Sequence, residues 1–350
     1  MQYRRKELFG SDLKQLAEIA RETGLPPYGA KQIAGWLYRK GVVVPGEMTN
    51  IPQKVRSSLS QRYSPGLYSP ATDVTSADGT KKYLFSLPGC RNIETAYIPS
   101  GERATVCLST QAGCRMGCHF CMTGKEKFHG NLSSGEILSQ FRSIPEYEKL
   151  TNIVFMGMGE PLDNREELFR SIDILTSDWG YGWSPSRITV STAGIIDGIS
   201  EYLERTKSHL AISLNSPFSE ERSSMMPVEN SNPISEILKI LRERERGRQQ
   251  RVSFEYILFE GFNDTPRHVK ELSRILNGIR CRVNLIRYHT IPGTPYSTVT
   301  EESAILFRDQ LNAKGITATV RKSRGEDIMA ACGLLSGSNR DSDQISPEPC

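Results

Sequence analysis

No apolar run in this 350-residue chain approaches the roughly 20 residues that a membrane-spanning helix needs. The opening residues, MQYRRKELFG, carry basic groups with no apolar stretch behind them, so they do not read as a secretory signal. These absences point to a cytoplasmic protein without membrane attachment. Neither sign of charge dominates: the formal net charge is +4. Apolar content of 37% and charged content of 24% are ordinary for a soluble globular chain.

What is present is unevenly placed. Residues 1–63 hold 11 Lys/Arg against 5 Asp/Glu, a net of +6, which leaves −2 for the remainder. A basic N-terminal segment on a near-neutral body fits a polyanionic partner, and equally a plain solvated basic face. Eight cysteines in a reducing compartment point to metal binding or redox chemistry rather than to structural disulfides.

Helical periodicity covers residues 11–41. SDLKQLAEIARETG places Leu13, Leu16, Ala17 and Ala20 on one face, with Ser11 as N-cap and Gly24 as the stop. AKQIAGWLYRKG does the same with Ile33, Trp36 and Leu37, and a third short helix follows Pro52. Residues 64–102 hold turn formers between short alternating runs and read as a hairpin-rich connector. From residue 103, β-branched runs at 105–110, 152–158, 188–194, 209–215, 252–259, 283–288 and 318–323 alternate with helical stretches. One of these, SSGEILSQF, opens on a capping box formed by Ser133 and Glu136. This pattern predicts an α/β fold: a partial (βα)6 barrel over 103–335, with a small N-terminal helical domain over 1–63. The polar tail, 336–350, reads as disordered.

The strongest chemical signal is GCRMGCHFC, in which Cys114, Cys118 and Cys121 form a C-x3-C-x2-C run after the first barrel strand. A tight loop can bring three thiolates onto three irons of one cubane and leave the fourth iron open. A Cys3His zinc site using His119 is the competing reading. The second signal is MGMGEP, Met156 to Pro161, at the end of the next strand, where ligands of parallel barrels bind. Its glycines admit close backbone approach, and Glu160 can accept from an ammonium. Ser191, Ser213, Leu214, Asn215 and His289 also fall at strand ends, where a lone Ser is ordinarily just a cap.

The cysteine triplet resembles the signature of the radical S-adenosylmethionine (SAM) superfamily. That resemblance implies one four-iron, four-sulfur cluster on Cys114, Cys118 and Cys121, with SAM chelating the open iron and being split to a 5′-deoxyadenosyl radical. It also makes Gly159 and Glu160 part of a SAM amino-group site and brings Ser191, Ser213, Leu214, Asn215 and His289 to SAM. The segments PYGAKQI, RATVCLSTQAGC, CMTGKE, GMGEPL, MPVE, IPGTPY, RKSRGEDI and AACG together resemble the RlmN family, from about residue 9 to 335. This implies methylation of adenine C2 in 23S rRNA and in tRNA, with two SAM molecules per turnover. Cys332 would carry the methyl, Cys107 would resolve the RNA adduct through a transient disulfide, and Glu94 would take the C2 proton. The resemblance further implies a reducing partner such as flavodoxin, a monomer, and an RNA-binding N-terminal domain in which Tyr28, Lys31, Trp36, Tyr38, Arg39 and Lys40 meet phosphates and bases. The chain departs from the family where Asn215 replaces a common His and His289 a common Asn. Cys90, Cys281 and Cys350 match nothing and read as structural or tail residues.

Two other functions share parts of this pattern: the same chemistry at adenine C8, and a non-catalytic RNA-binding zinc protein. Replacing Cys114, Cys118 or Cys121 with Ala should abolish iron binding and SAM cleavage. Iron and sulfide analysis of each variant checks this, and a full cluster with wild-type SAM cleavage in any one of them would overturn the ligand assignment.

Overall fold

In the computed structural model, which describes residues 5–243 and 250–337, the β-branched runs become neighbours in one ten-stranded sheet. Its strands are β1 (Thr72–Thr75), β2 (Lys81–Leu87), β3 (Arg91–Ser100), β4 (Arg103–Cys107), β5 (Asn152–Phe155), β6 (Ile188–Thr192), β7 (His209–Ser213), β8 (Val252–Leu258), β9 (Cys281–Arg287) and β10 (Ala318–Val320). They lie side by side in chain order. The pairs from β1 to β4 are antiparallel and those from β4 to β10 parallel.

Parallel neighbours need crossovers, and helices supply them: α4 (Ser134–Arg142), α5 (Arg165–Thr176), α6 (Ile196–Arg205), α7 (Ile234–Glu243), α8 (Pro266–Leu276) and α9 (Glu301–Ala313). Six strand–helix units followed by a seventh parallel strand make the partial barrel that the periodicity predicts. Ser133 caps α4 with Glu136 returning to the cap, as the capping box requires. Among the described residues no helix is long and apolar enough to cross a membrane.

The connector expected over 64–102 is part of this sheet. β1 to β3 add three antiparallel strands to its edge, and β3 pairs with β4 from Ala96↔Cys107 to Ser100↔Arg103. Period-two alternation then separates two chemistries on β3. Ile93 and Tyr97 join the main apolar core, while Ala96 and Ile98 face the barrel interior with Cys107, Val154 and Ala330.

At the N-terminus, α1 (Leu13–Glu22), α2 (Gly29–Ala34) and α3 (Gln53–Arg62) stand where periodicity puts helices. Asp12 rather than Ser11 caps α1: its carbonyl accepts the first helical bond, from Leu16 N–H, its carboxylate accepts from Gln15 N–H, and the Gln15 side chain accepts from Asp12 N–H, while the Ser11 carbonyl accepts from the Tyr38 hydroxyl at 2.6 Å. After α2 the chain widens into a π-helical turn, Gly35–Arg39, which buries Trp36, Leu37 and Tyr38. Tyr38 packs on Phe9, Trp179 and Tyr181, so neither it nor Trp36 is an exposed platform for bases. Tyr28, Lys31, Arg39 and Lys40 do face solvent. The tail proposed for 336–350 lies outside the described residues from 338 onward, Cys350 included, whereas Ser336 is buried and hydrogen-bonded.

The N-terminal helices dock on α4 and α5. Gly10 (φ +91°) lies against Gly135, whose nitrogen would be 2.2 Å from a Cβ at position 10. The Ser134 hydroxyl donates to the Gly10 carbonyl at 2.7 Å, and Arg170 meets Asp12 at 3.4 Å. Gly10→Ala should therefore destabilise the protein by about 3 kcal/mol, through backbone strain plus overpacking. Gly24→Ala, also at positive φ but with nothing within 4 Å, should cost about 1 kcal/mol. Chemical denaturation of the two variants checks the difference, and equal losses would mean that the docking contact is not tight.

Candidate functional site

All seven parallel strands point their C-terminal ends to one rim, and two loops there are stitched backbone to backbone. Leaving β4, Leu108 accepts from Gly157 N–H at 3.0 Å and Thr110 N–H donates to the Met158 carbonyl at 2.8 Å. The Ser109 hydroxyl accepts from Met158 N–H and donates to the Glu94 carbonyl at 2.6 Å. Gln111 accepts from Glu160 N–H at 2.8 Å. This closeness needs the glycines of MGMGEP. A Cβ at Gly157 would meet Ser109 Oγ at 2.6 Å, and one at Gly159 (φ +93°) would meet the Gln111 side chain at 2.4 Å.

The next residues of the β4 loop carry Cys114, Cys118 and Cys121 into a cavity of about 160 Å³, shared with Gly159, Glu160, Ser191, Ser213 and Asn215. Cys121 N–H donates to the Cys118 carbonyl at 3.2 Å, and Gly124 packs where a side chain would strike that same carbonyl at 2.8 Å. Phe120, Met122, Met225, Met226 and Phe259 form an apolar wall against which Cys118 and Cys121 pack. Burial pushes the Cys114 thiol up to about 12 and raises Cys118 and Cys121 as well. Such thiols give up their protons to a strongly Lewis-acidic partner such as iron. A mononuclear site fits less well. His119 is exposed, and among the described residues no three His, Cys, Asp or Glu side chains converge on one ion. Three thiols set against an apolar wall, with no fourth protein ligand among the described residues, suit a cluster with one open iron.

Glu160 is buried at the cavity wall. One carboxylate oxygen accepts from Leu162 N–H at 3.0 Å, the other from Ala193 N–H at 2.7 Å. Burial still pushes its carboxyl up to about 7, so a bound ammonium would complete the charge balance. Asn215 occupies the left-handed region (φ +55°), which Asn tolerates well. Its amide accepts from Ile257 N–H at 2.9 Å and points Nδ2 at the Met226 sulfur, which makes it a brace between β7 and β8 as well as a cavity wall. Leu214 does not reach the cavity: the alternation that turns Ser213 and Asn215 inward sends Leu214 into the core.

A second cavity, about 190 Å³, adjoins the first and shares Cys121, Met156, Arg321 and Cys332 with it. Cys107 and His289 line this one. Cys332 sits on an exposed turn after β10. The loop around it is tied down where Met122 N–H donates to the Gly333 carbonyl (2.8 Å) and the Thr123 hydroxyl to the Leu335 carbonyl (2.6 Å). Cys107 is buried, and burial, with the neighbouring Cys332 next, pushes its thiol up to about 12. His289 faces the same loop, its Nδ1 lying 3.3 Å from Glu326 and its Nε2 3.4 Å from Ser323 Oγ.

Glu94 lies on the same interior face of β3 but on neither cavity wall. Lys82 holds one carboxylate oxygen at 3.0 Å, and Ser336 N–H donates to the other at 2.8 Å. Motif and spacing assign no role to three residues with structural weight here. Arg222 is wholly buried, paired with Glu229 of the MPVE segment, and donates to the carbonyls of Ala193 (2.6 Å) and Ser213 (2.9 Å), so it clamps the ends of β6 and β7. Arg321 stands between the two cavities, 3.4 Å from Glu255. Lys82 is the third. Cys90, in the turn between β2 and β3, and Cys281, half-buried on β9, line neither cavity.

Comparison with known proteins agrees with this geometry. Residues 108–272 match the model of the Radical SAM superfamily, and residues 6–64 match that of the ribosomal RNA large subunit methyltransferase N-terminal domain. The chain is 50% identical over 332 residues to the probable dual-specificity RNA methyltransferase RlmN of Parabacteroides distasonis, covering 95% of this chain and 97% of that protein. It is 41% identical to the dual-specificity RNA methyltransferase RlmN of Syntrophus aciditrophicus, over 93% of this chain and 94% of the other. The crystal structure of a radical SAM methyltransferase from Sphaerobacter thermophilus superposes with a TM-score of 0.88 at 38% identity, covering 95% of this chain and 100% of that one. Residues that form a three-thiol cradle beside a buried Glu, on a partial barrel with this N-terminal unit, thus place the chain in the radical SAM superfamily and, within it, in the RlmN family.

Proposed function

We propose that the protein is an RNA methyltransferase that places a methyl group on C2 of an adenosine in the peptidyl-transferase centre of 23S rRNA, and of the adenosine 3′ of the anticodon in tRNA. One observation carries the reading: Cys107 and Cys332, 225 positions apart in the sequence, line one cavity that adjoins the pocket of Cys114, Cys118 and Cys121. The relatives' names, dual-specificity RNA methyltransferase, point the same way. The relatives' RlmN names, whose family the resemblance links to adenine C2, favour the C2 reaction over its C8 counterpart. The exposed His119 argues against the zinc-protein reading.

Adenine C2 is not nucleophilic, so simple displacement on SAM cannot methylate it. When bound, a cluster on Cys114, Cys118 and Cys121 together with SAM near Glu160 supplies one-electron cleavage of SAM to a 5′-deoxyadenosyl radical. The protein's own groups do the rest. Cys332, exposed on its turn, takes a methyl group and later gives up one hydrogen atom from it. Its thiomethylene radical carbon adds to C2, the C2 proton passes to Glu94 once the base displaces Ser336 N–H from that carboxylate, and the unpaired electron left on the ring would be given up to the oxidised cluster that Cys114, Cys118 and Cys121 hold, leaving a closed-shell adduct. The Cys107 sulfur then attacks Cys332: the S–S bond forms, the S–C bond breaks, and the released carbon takes a proton. Arg321, at the junction of the two cavities, works against the burial that raises the Cys107 thiol, though burial dominates. We assign the reaction two SAM molecules per turnover, a flavodoxin-like reductant and a monomeric enzyme.

Mass spectrometry of 23S rRNA and tRNA from a strain lacking the gene should show loss of 2-methyladenosine, with recovery on complementation. Retention of the methyl, or loss of 8-methyladenosine instead, would overturn the assignment. In the complementing protein, Cys332→Ala should form neither methylated protein nor RNA adduct, whereas Cys107→Ala should accumulate RNA joined to Cys332, visible as an adenosine-bearing peptide.

RNA affinity should be electrostatic at the N-terminal unit, since Lys31, Arg39 and Lys40 are exposed while Trp36 and Tyr38 are buried. Exchanging Lys31 and Lys40 for Glu should reduce the log–log salt slope of RNA binding by roughly 1.5, as loss of two phosphate contacts predicts. An unchanged slope would mark these lysines as a solvated face.

A further inference from the structure

Two adjacent lysines on β2 point to opposite faces of the sheet, and each meets a glutamate. Lys81, on the outer face, lies 2.7 Å from Glu146, which also accepts from the Tyr83 hydroxyl. That cluster sits under the outer layer and ties the sheet to the segment following α4. Lys82, on the inner face, lies 3.0 Å from Glu94. Register explains the inner pair: Lys82 stands opposite Ala96, and Ala96 opposite Cys107. Lys82, Ala96 and Cys107 thus form one row across three strands, with Glu94 two residues along β3 and on the same face.

A carboxylate as buried as Glu94, 2% exposed, is costly without a partner. Among the described residues Lys82 is the only charged side chain within ion-pair distance of it. The other groups facing it are uncharged or thiols. Met158 offers its sulfur to Glu94 N–H, Ser109 donates to the Glu94 carbonyl, and the loop of Cys332 contributes Ser336 N–H. Cys107 faces the same interior from β4. Gln140 of α4 is on the other side of β3, engaged with Thr95.

We propose that Lys82 is a positioning residue for the reaction: it holds the Glu94 side chain in place on the interior face of β3, so that Glu94 takes the adenine C2 proton after the carbon–carbon bond has formed. The inference rests on the function proposed above. The part of the step that Glu94 performs is a proton transfer: the C2–H bond breaks, its electron pair stays with the ring, and its proton goes to the Glu94 carboxylate, while the adduct's unpaired electron leaves as described above. Lys82 acts late, so methylation of Cys332 and the first SAM-dependent stage do not depend on it.

The test uses full-length, cluster-loaded protein and an in vitro transcribed 23S rRNA fragment made with ordinary ATP or with ATP deuterated at C2. Lys82→Met should keep wild-type iron content and wild-type methyl-Cys332. It should methylate the RNA about tenfold more slowly or worse, within the range that a proton-transfer group contributes. Its rate should also be more sensitive to C2 deuterium than that of the wild type, because removal of the proton becomes limiting. Lys82→Arg should recover most of the rate, and Lys81→Met, which disturbs the same strand from the outer face, should match the wild type in deuterium sensitivity. Wild-type RNA methylation by Lys82→Met, unchanged deuterium sensitivity, or parallel loss of methyl-Cys332 and RNA product would each overturn the proposal. Absence of methyl-Cys332 from the wild-type protein would instead overturn the function on which it rests.

Discussion

The chemistry of this protein depends on how closely two strand-exit loops approach. The chain leaving β4 and the chain leaving β5 share backbone hydrogen bonds at Leu108–Gly157 and Thr110–Met158, with Ser109 and Gln111 adding side-chain bonds. A Cβ at Gly157 or Gly159 would force them apart. Separation would move the three cysteines away from Glu160 and break up a cavity in which thiols, a buried carboxylate and strand-end hydroxyls converge. A sequence-local motif, MGMGEP, thereby controls the position of another motif more than thirty residues upstream.

Stability and chemistry divide between the two faces of one sheet. Residues facing outward from β3 and β4, such as Ile93, Tyr97 and Val106, join the large core under the helices. Those facing inward, Ala96, Ile98 and Cys107, form a small separate cluster that closes on the Cys332 loop through Ala330. A shift of one residue in strand register would exchange the two sets. The extra antiparallel strands matter for this reason: β2 and β3 extend the inner face beyond the (βα)6 core and bring Lys82 into the row that contains Cys107, with Glu94 two residues along β3 on the same face.

Buried ion pairs complete the interior. Arg222–Glu229 and Lys82–Glu94 each place charge where desolvation is expensive, and such pairs seldom increase stability over an apolar alternative. Their benefit is placement. Arg222 holds strand-end carbonyls at the cavity of Cys114, Cys118 and Cys121, and the pair on β2 and β3 holds a carboxylate on the interior face that Cys107 shares.

Much of this protein is legible from sequence because the relevant signals are local. Period-two runs gave the seven parallel strands, the capping box gave the start of α4, and C-x3-C-x2-C gave the thiol cradle, since each depends on neighbours within a few residues. Pairing, docking and side-chain environment are not local. Sequence could not tell that residues 64–102 join the barrel sheet, because strand partners far apart in the chain decide it. It put Trp36 and Tyr38 among RNA-facing groups, yet a π-helical turn and contacts with Trp179 and Tyr181 bury them. Leu214 shares a strand end with Ser213 and Asn215 but faces the core. The partners of Glu94, one on a neighbouring strand and one 242 residues away, arise only when the sheet and the Cys332 loop close on each other. Composition and spacing thus determined which atoms the protein brings to the reaction, and tertiary structure decided which of them meet, because burial and contact are properties of the folded sheet rather than of any stretch of chain.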